Sequence, residues 1–275
     1  MNYQQPRVLS IAGTDPTGGA GIHADLKSIA AAGGFGMAVI TALVAQNTQG
    51  VREVHTPPQA FLRAQLEAVF DDVAVDAVKV GMLGDAPTTA TVSHFLATHP
   101  VPVVVVDPVM VATSGDRLLD EDAEEALREF VRDHATVVTP NVPELAALCE
   151  TSLASAFEEA LDQGRALAAS AGVSVLVKGG HLAGPEASNA LVTPAGEAHT
   201  IALPRVKTTN THGTGCSLSS ALATRMRIDT SAAAAAEWSS HWLHEAISHA
   251  DELHVGRGHG PIDHFHALRR LAGWG

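Results

Sequence analysis

Apolar positions along the chain fall into two alternating textures. Short β-branched runs predict strands: RVLSIAG (7–13), MAVITAL (37–43), VDAVKVG (75–81), VPVVVVDP (101–108), TVVTP (136–140) and VSVLVKGG (173–180). Between them, residues 20–32, 59–71, 86–98, 120–134 and 157–171 carry the spacing of amphipathic helices, and the alanine run 232–236 fits a further helix. A run as uniformly apolar as Val103 to Val106 suits a strand covered on both faces. The alternation therefore predicts an α/β fold with a mostly parallel central sheet and helices on both sides. Residues 188–204 differ, because SNALVTPAGEAHTIALP reads as two strands about a Pro-Ala-Gly turn, an antiparallel edge. No linker, repeat or low-complexity block divides residues 1–275, which read as one domain.

Composition narrows the chemistry. The 275 residues give ample material for a core, and 30 acidic against 17 basic residues give a formal charge of −13. Without a Lys/Arg-rich block, nucleic acid and anionic membrane are excluded as expected partners. Any phosphate-bearing ligand must then be held locally, by helix N-termini, single lysines or a metal ion. Two cysteines make no disulfide framework and suggest a reducing compartment. The stretch MNYQQPRVLSIAG reads as a first strand rather than a signal peptide, and no run reaches membrane-spanning length, so a cytoplasmic location is expected.

In parallel sheets, ligands gather at the carboxyl ends of strands, here GTDPTGGAG, QNTQG, GMLGD, DPVM, TPNVPE and KGGH. The glycine-rich AGTDPTGGAGIHADLKS (12–28) has neither a P-loop ending nor G-x-G-x-x-G spacing. It reads as a strand-to-helix turn, with Asp15 at the turn and Asp25 in the helix that follows. HEAISH (244–249) sets its histidines five apart, which misaligns them for a shared metal by about 100°. Those histidines, and the ones in HGPIDHFH (259–266), read as solvated or capping. Asn141 in TPNVPE suits the cap of a helix starting near Pro143. Glu144 is then either a first-turn acid favoured by the helix dipole or a ligand of Mg²⁺.

In NTHGTGCSLSSALA (210–223) a Gly-x-Gly turn precedes a helix that starts near Gly215 or Cys216, so backbone N–H groups converge into an anion hole. A thiol placed there is expected to ionise more easily, toward neutrality. There is no C-x-x-C and Cys149 lies far off in sequence. Two roles beyond packing remain for Cys216: acyl-transfer nucleophile, or general base at a phosphate-binding hole.

AGTDPTGGAGIHADLKS, VITALVAQNTQGV, KVGMLGD, DPVMVATSGDRLL, TPNVPE, VKGGHL, NTHGTGCSLSSALA and VGRGHGPIDHFHA follow in this order from residue 12 to 267. Together they closely resemble the bacterial hydroxymethylpyrimidine/phosphomethylpyrimidine kinases of thiamin biosynthesis, within the ribokinase-like superfamily. The resemblance implies a three-layer α/β fold, ATP as cosubstrate, Mg²⁺, and a homodimer. It also implies two successive phosphorylations, of 4-amino-5-hydroxymethyl-2-methylpyrimidine and then of its monophosphate to the diphosphate. Cys216 would stand where ribokinase-like sugar kinases carry an Asp base, with the amides of Gly213, Gly215 and Cys216 around the γ-phosphate. Glu144, with Asp107 and Asn141, would organise Mg²⁺ and its waters, and Lys178, Asn141 and Thr211 would line the ATP side. Around the pyrimidine, Gln46 would pair with the 4-amino group and ring nitrogen. Asp25 would contribute a hydrogen bond there, Met82 packing, and Val109 cover for a ring face. Pyridoxal kinase is the alternative within the same chemistry. A cysteine acyltransferase would need a His such as His212 with an orienting carboxylate, and a non-catalytic pyrimidine or phosphate sensor is the binding-module alternative.

Overall fold

A glycine-rich turn leads from β1 (Arg7–Ala12) into α1 (Gly21–Ala31). The chain continues through β2 (Phe35–Ile40), β3 (Leu43–Asn47), β4 (Gly50–His55), α2 (Gln59–Phe70), β5 (Ala77–Val80), α3 (Ala86–Thr98) and β6 (Val104–Val106). Next come α4 (Glu121–His134), β7 (Val137–Val138), α5 (Val142–Cys149), α6 (Phe157–Ala171) and β8 (Ser174–Lys178). The last part holds β9 (Asn189–Val192), β10 (Ala198–Ile201), α7 (Thr214–Arg225), α8 (Ala232–Ser248) and α9 (His266–Ala272). The computed structural model describes residues 4–110 and 121–274. Residues 1–3 of the expected N-terminal strand segment, the VATSGDRLL part of the fourth motif and the first residue of the expected 120–134 helix lie outside them.

Eight strands form one sheet in the order β10-β9-β8-β7-β6-β5-β1-β2. The six from β8 to β2 pair parallel, and β9 and β10 add the expected antiparallel edge. Strand alternation sets the layers. Val78, Val80, Val104 and Val106 pack with α2 to α6 on one face. Ala77, Val103, Val105 and Leu176 pack with α1, α7 and α8 on the other. Each such aliphatic side chain withdrawn from water contributes roughly 1.5–3 kcal/mol, so the near-continuous valine runs are the cement of a three-layer α/β architecture. Among the described residues no helix is long and apolar enough to cross a membrane.

One element departs from the sequence expectation. The run 37–43 does not continue as one strand, and QNTQG does not end a strand of the main sheet. β2 stops at Ile40, and Thr41 turns inward, its backbone N–H donating to the Ala12 carbonyl (3.1 Å) and its hydroxyl to that of Met82 (2.7 Å). The chain then forms a separate antiparallel hairpin of β3 and β4, closed by an Asx turn in which the Gln49 N–H donates to Asn47 Oδ1 at 2.9 Å.

Candidate active site

The turn after β1 wraps around its own carboxylate. Asp15 accepts from the N–H groups of Thr17 (2.9 Å), Gly19 (3.0 Å) and Ala20 (2.8 Å), and meets His212 Nε2 at 2.8 Å. Burial would raise its pKa, but the bonds from His212 and Thr17 outweigh that and hold it at about 2. The anion in this glycine nest is therefore internal, which is why the stretch lacks the marks of a nucleotide loop. Its purpose is to seat the loop on the start of α7. Gly213, with φ +79°, caps α7, and a Cβ there would lie 1.8 Å from the Gly19 carbonyl oxygen. Only glycine meets both demands. His212 and Asp15 form the imidazole–carboxylate pair that a cysteine acyltransferase would need, but among the described residues no hydrogen bond joins His212 to Cys216.

α7 begins at Thr214, within a residue or two of the sequence expectation, and its first turn faces a cavity of about 880 Å³ at the carboxyl ends of the strands. Gly213, Gly215 and Cys216 line it, as do Gln46, Met82, Val109, Asp107, Asn141, Glu144, Lys178 and Thr211. The first amides of a helix have no intrahelical acceptor, so this turn supplies the N–H groups that an oxyanion needs. A Cβ on Gly215 would sit 3.3 Å from both Asp107 Oδ2 and Lys178 Nζ, so the glycine keeps that space open.

Asn141 and Glu144 form a capping box at the start of α5: the Glu144 N–H donates to Asn141 Oδ1 (2.9 Å) and the Asn141 N–H to Glu144 Oε2 (2.8 Å). This fixes Glu144 beside Lys178, whose Nζ lies 3.6 Å from Glu144 Oε2 and 3.0 Å from Asp107 Oδ1. Burial pushes Glu144 up to about 7; Lys178 draws it down, and the Asp107 charge adds to the rise. Burial works to lower Lys178, but the two carboxylates outweigh it and hold the ammonium above its ordinary value. Two buried carboxylates clasping one cation are a hard-oxygen donor pair of the kind Mg²⁺ takes together with substrate phosphates.

Cys216 contradicts its sequence expectation. Burial pushes the thiol up to about 12; Lys79 and the Gly21 N–H pull it down, while Asp25 and Asp107 add to the rise. The helix N-terminus is present, but desolvation and two carboxylates overrule it. The resting thiol is neutral.

Asp25 is the second correction, because it does not line the cavity. It lies wholly buried, its carboxylate taken by Lys79, Ser10 and Ser220. Gln46, by contrast, reaches the wall. A register shift between Ala45 and Gln46 re-aims the strand there. The Gln46 Nε2 donates to the Thr14 carbonyl at 3.3 Å, which orients the amide. The Met82 thioether lies over Gly13, where a Cβ would come within 2.6 Å of Met82 Cε. Sequence reading missed Lys79 altogether; its signal was a lysine inside the apolar strand AVKV.

The family model for phosphomethylpyrimidine kinase matches residues 15–263. The chain belongs to that family. It is 62% identical over 97% of its length to the thiamine biosynthesis multifunctional protein ThiED of Corynebacterium efficiens, and spans 36% of that longer protein. It is 48% identical over 96% of its length to the hydroxymethylpyrimidine/phosphomethylpyrimidine kinase of Salmonella typhimurium, covering 99% of it. Among solved structures, an ADP complex of Bacillus subtilis pyridoxal kinase superposes with a TM-score of 0.88 at 29% identity, over 97% of this chain and 99% of that one. The architecture is the ribokinase-like α/β fold that the motifs implied.

Proposed function

We propose that this chain transfers the γ-phosphoryl group of ATP to the hydroxymethyl group of 4-amino-5-hydroxymethyl-2-methylpyrimidine, and then phosphorylates the monophosphate to the diphosphate. The observation that carries this reading is one cavity in which Gln46, the α7 N-terminus with Cys216, and the Asp107–Lys178–Glu144 group all meet. The Gln46 amide matches the amino group and adjacent ring nitrogen of the pyrimidine. Asp107 and Glu144 would hold Mg²⁺, which supplies charge neutralisation for the phosphates when bound. Lys178, Asn141 and Thr211 line the nucleotide side. The proposal keeps a single domain over residues 1–275, a homodimer and a cytoplasmic setting.

In the transfer step the alcohol oxygen forms a bond to the γ-phosphorus as the bond to ADP breaks, and the alcohol proton passes to Cys216 Sγ in its thiolate form, the thiol's own proton having gone to solvent beforehand. Such transfer is loose, so positioning and charge stabilisation outweigh base strength. The resting thiol is held neutral by burial first and by Asp25 and Asp107 after it, so neutralising the Asp107 charge would favour the thiolate. The amides of Gly213, Gly215 and Cys216 would take the developing phosphoryl charge.

Likeness to a pyridoxal kinase structure favours a second acceptor, while Gln46 favours the pyrimidine. Incubation with ATP, Mg²⁺ and the pyrimidine alcohol, its monophosphate or pyridoxal, followed by mass spectrometry, tests the reading. Pyrimidine mono- and diphosphates are the expected products. Phosphorylation of pyridoxal alone would contradict it.

A further inference from the structure

Lys79 is a large side chain wholly shut from solvent, as is its partner Asp25. It stands opposite Ser10 in the pairing of β5 with β1. Lys79 Nζ donates to both Asp25 oxygens at 3.0 Å, and the same carboxylate accepts from Ser10 Oγ (2.6 Å) and Ser220 Oγ (2.8 Å). One carboxylate thus ties β1, β5, α1 and α7. Stability alone does not explain it, because desolvating two charges offsets most of their attraction and apolar side chains of equal volume serve as well.

Its place is more telling. Asp25 lies four residues, about one turn, beyond Gly21, and Ser220 lies four beyond Cys216. Gly21 and Cys216 both line the cavity where the two helices start. Gly81, next to the cavity-lining Met82, would bring a Cβ within 2.6 Å of Lys79 Nζ. The network therefore sits one helical turn beneath the cavity floor.

We infer that the Asp25–Lys79 pair is a positioning device for phosphoryl transfer, one that locks the first turn of α7, with Cys216 and its amides, at a fixed height against α1. The inference rests on the kinase reading above. Apolar contact is non-directional and lets helices slide, whereas charge-assisted bonds from three donors fix both distance and direction. A displacement of 1 Å at a reacting group costs on the order of 10²-fold in rate.

The test is the double variant Asp25→Asn with Lys79→Met. It removes both charges, leaves a carbonyl acceptor for one serine and an NH2 donor for the other, and nearly keeps the length of both side chains. We expect it to melt within a few degrees of the wild type and to keep KM for ATP and the pyrimidine within about threefold, while kcat falls at least tenfold. Ser220→Ala, which cuts only the tie to α7 and leaves the ion pair intact, is the milder companion, with kcat lowered about threefold or more at unchanged KM. Hydrogen exchange gives a readout independent of catalysis: peptides covering the first turns of α1 and α7 should exchange faster in the double variant, and those of α8 should not change. A folded double variant or Ser220→Ala with wild-type kcat overturns the positioning role, as does unchanged exchange at both helix starts. If the wild type phosphorylates neither the pyrimidine nor pyridoxal, the kinase reading falls, and exchange alone decides what the pair does.

Discussion

Cys216 is pulled both ways. Burial and the carboxylates of Asp25 and Asp107 hold its proton on, and Lys79 with the Gly21 N–H draws it off. Cys216→Ala should lower turnover by roughly 10² to 10⁴ with ATP affinity little changed. Cys216→Asp, whose carboxyl gives up its proton far more readily than a thiol in the same surroundings, should retain more activity than Ala. Because the thiol stands at about 12, the wild-type kcat/KM should climb with pH between 7 and 9 as the thiolate fraction grows, more steeply than that of the Asp variant; parallel profiles would remove the base role. Glu144→Gln keeps the shape of the capping box but removes a charge beside Lys178, so the Mg²⁺ concentration for half-maximal rate should rise several-fold. An unchanged titration would return Glu144 to capping alone. The location of Cys216 was legible in the sequence because glycines and helical spacing are local signals. Its ionisation was not, since the carboxylates that set it arrive from distant strands and helices.

Among elements, the start of α7 and the β3–β4 hairpin decide the site, and two glycines separate stability from chemistry. Gly213→Ala must hold φ +79° with its Cβ against backbone oxygen, so it should destabilise by about 1–3 kcal/mol or more in urea unfolding. Gly215→Ala lies inside a helix, where alanine is favoured, but projects a methyl between Asp107 and Lys178. It should keep stability and lose activity. Reversed outcomes would exchange their roles. The capping box at α5 and the antiparallel edge of β9 and β10 could be read from the sequence, because a cap and a Pro-Ala-Gly turn are written in adjacent residues. The hairpin could not be separated from β2, since VITALVAQNTQGV has no Gly or Pro between Ile40 and Asn47 to mark a boundary. The turn away at Thr41 goes with its hydroxyl bond to the Met82 carbonyl, a contact that local sequence does not encode.

For the molecule as a whole, the alternation of strands and helices already implied a parallel sheet, and every expected strand region contributes to it. The strand order and the inward turn of Asp25 needed the packed layers, because burial on one sheet face is a property of α1, α7 and β5 together. The whole fold also carries two opposing pH dependences. Burial, with Lys27 adding to the fall, drops His264 to about 3. The unfolded chain takes that proton below about 6.5, so this stabilisation is complete above 6.5 and is lost as pH falls toward 3, at up to about 1.4 kcal/mol per unit. Glu144, raised to about 7, runs the other way: its contribution is complete below the unfolded value of about 4.3 and is lost as pH rises through 7. The two partly cancel between pH 6.5 and 4.5. His264→Gln should therefore gain stability relative to the wild type as pH falls from 7 to 5, read by thermal melting, and parallel curves would deny the buried histidine this role. The central claim is that Gln46 selects an aminopyrimidine in a kinase site. Gln46 is half-buried, and once a ligand covers it an amide left without partners rejects that ligand by about 10⁴-fold; pyridoxal offers no amino group beside a ring nitrogen. The most direct measurement is the ratio of kcat/KM for the aminopyrimidine alcohol to that for pyridoxal, in the wild type and in Gln46→Leu. The account predicts a large wild-type preference for the pyrimidine that mostly disappears in the variant while ATP binding persists; equal constants in the wild type, or an undiminished preference in the variant, would contradict it.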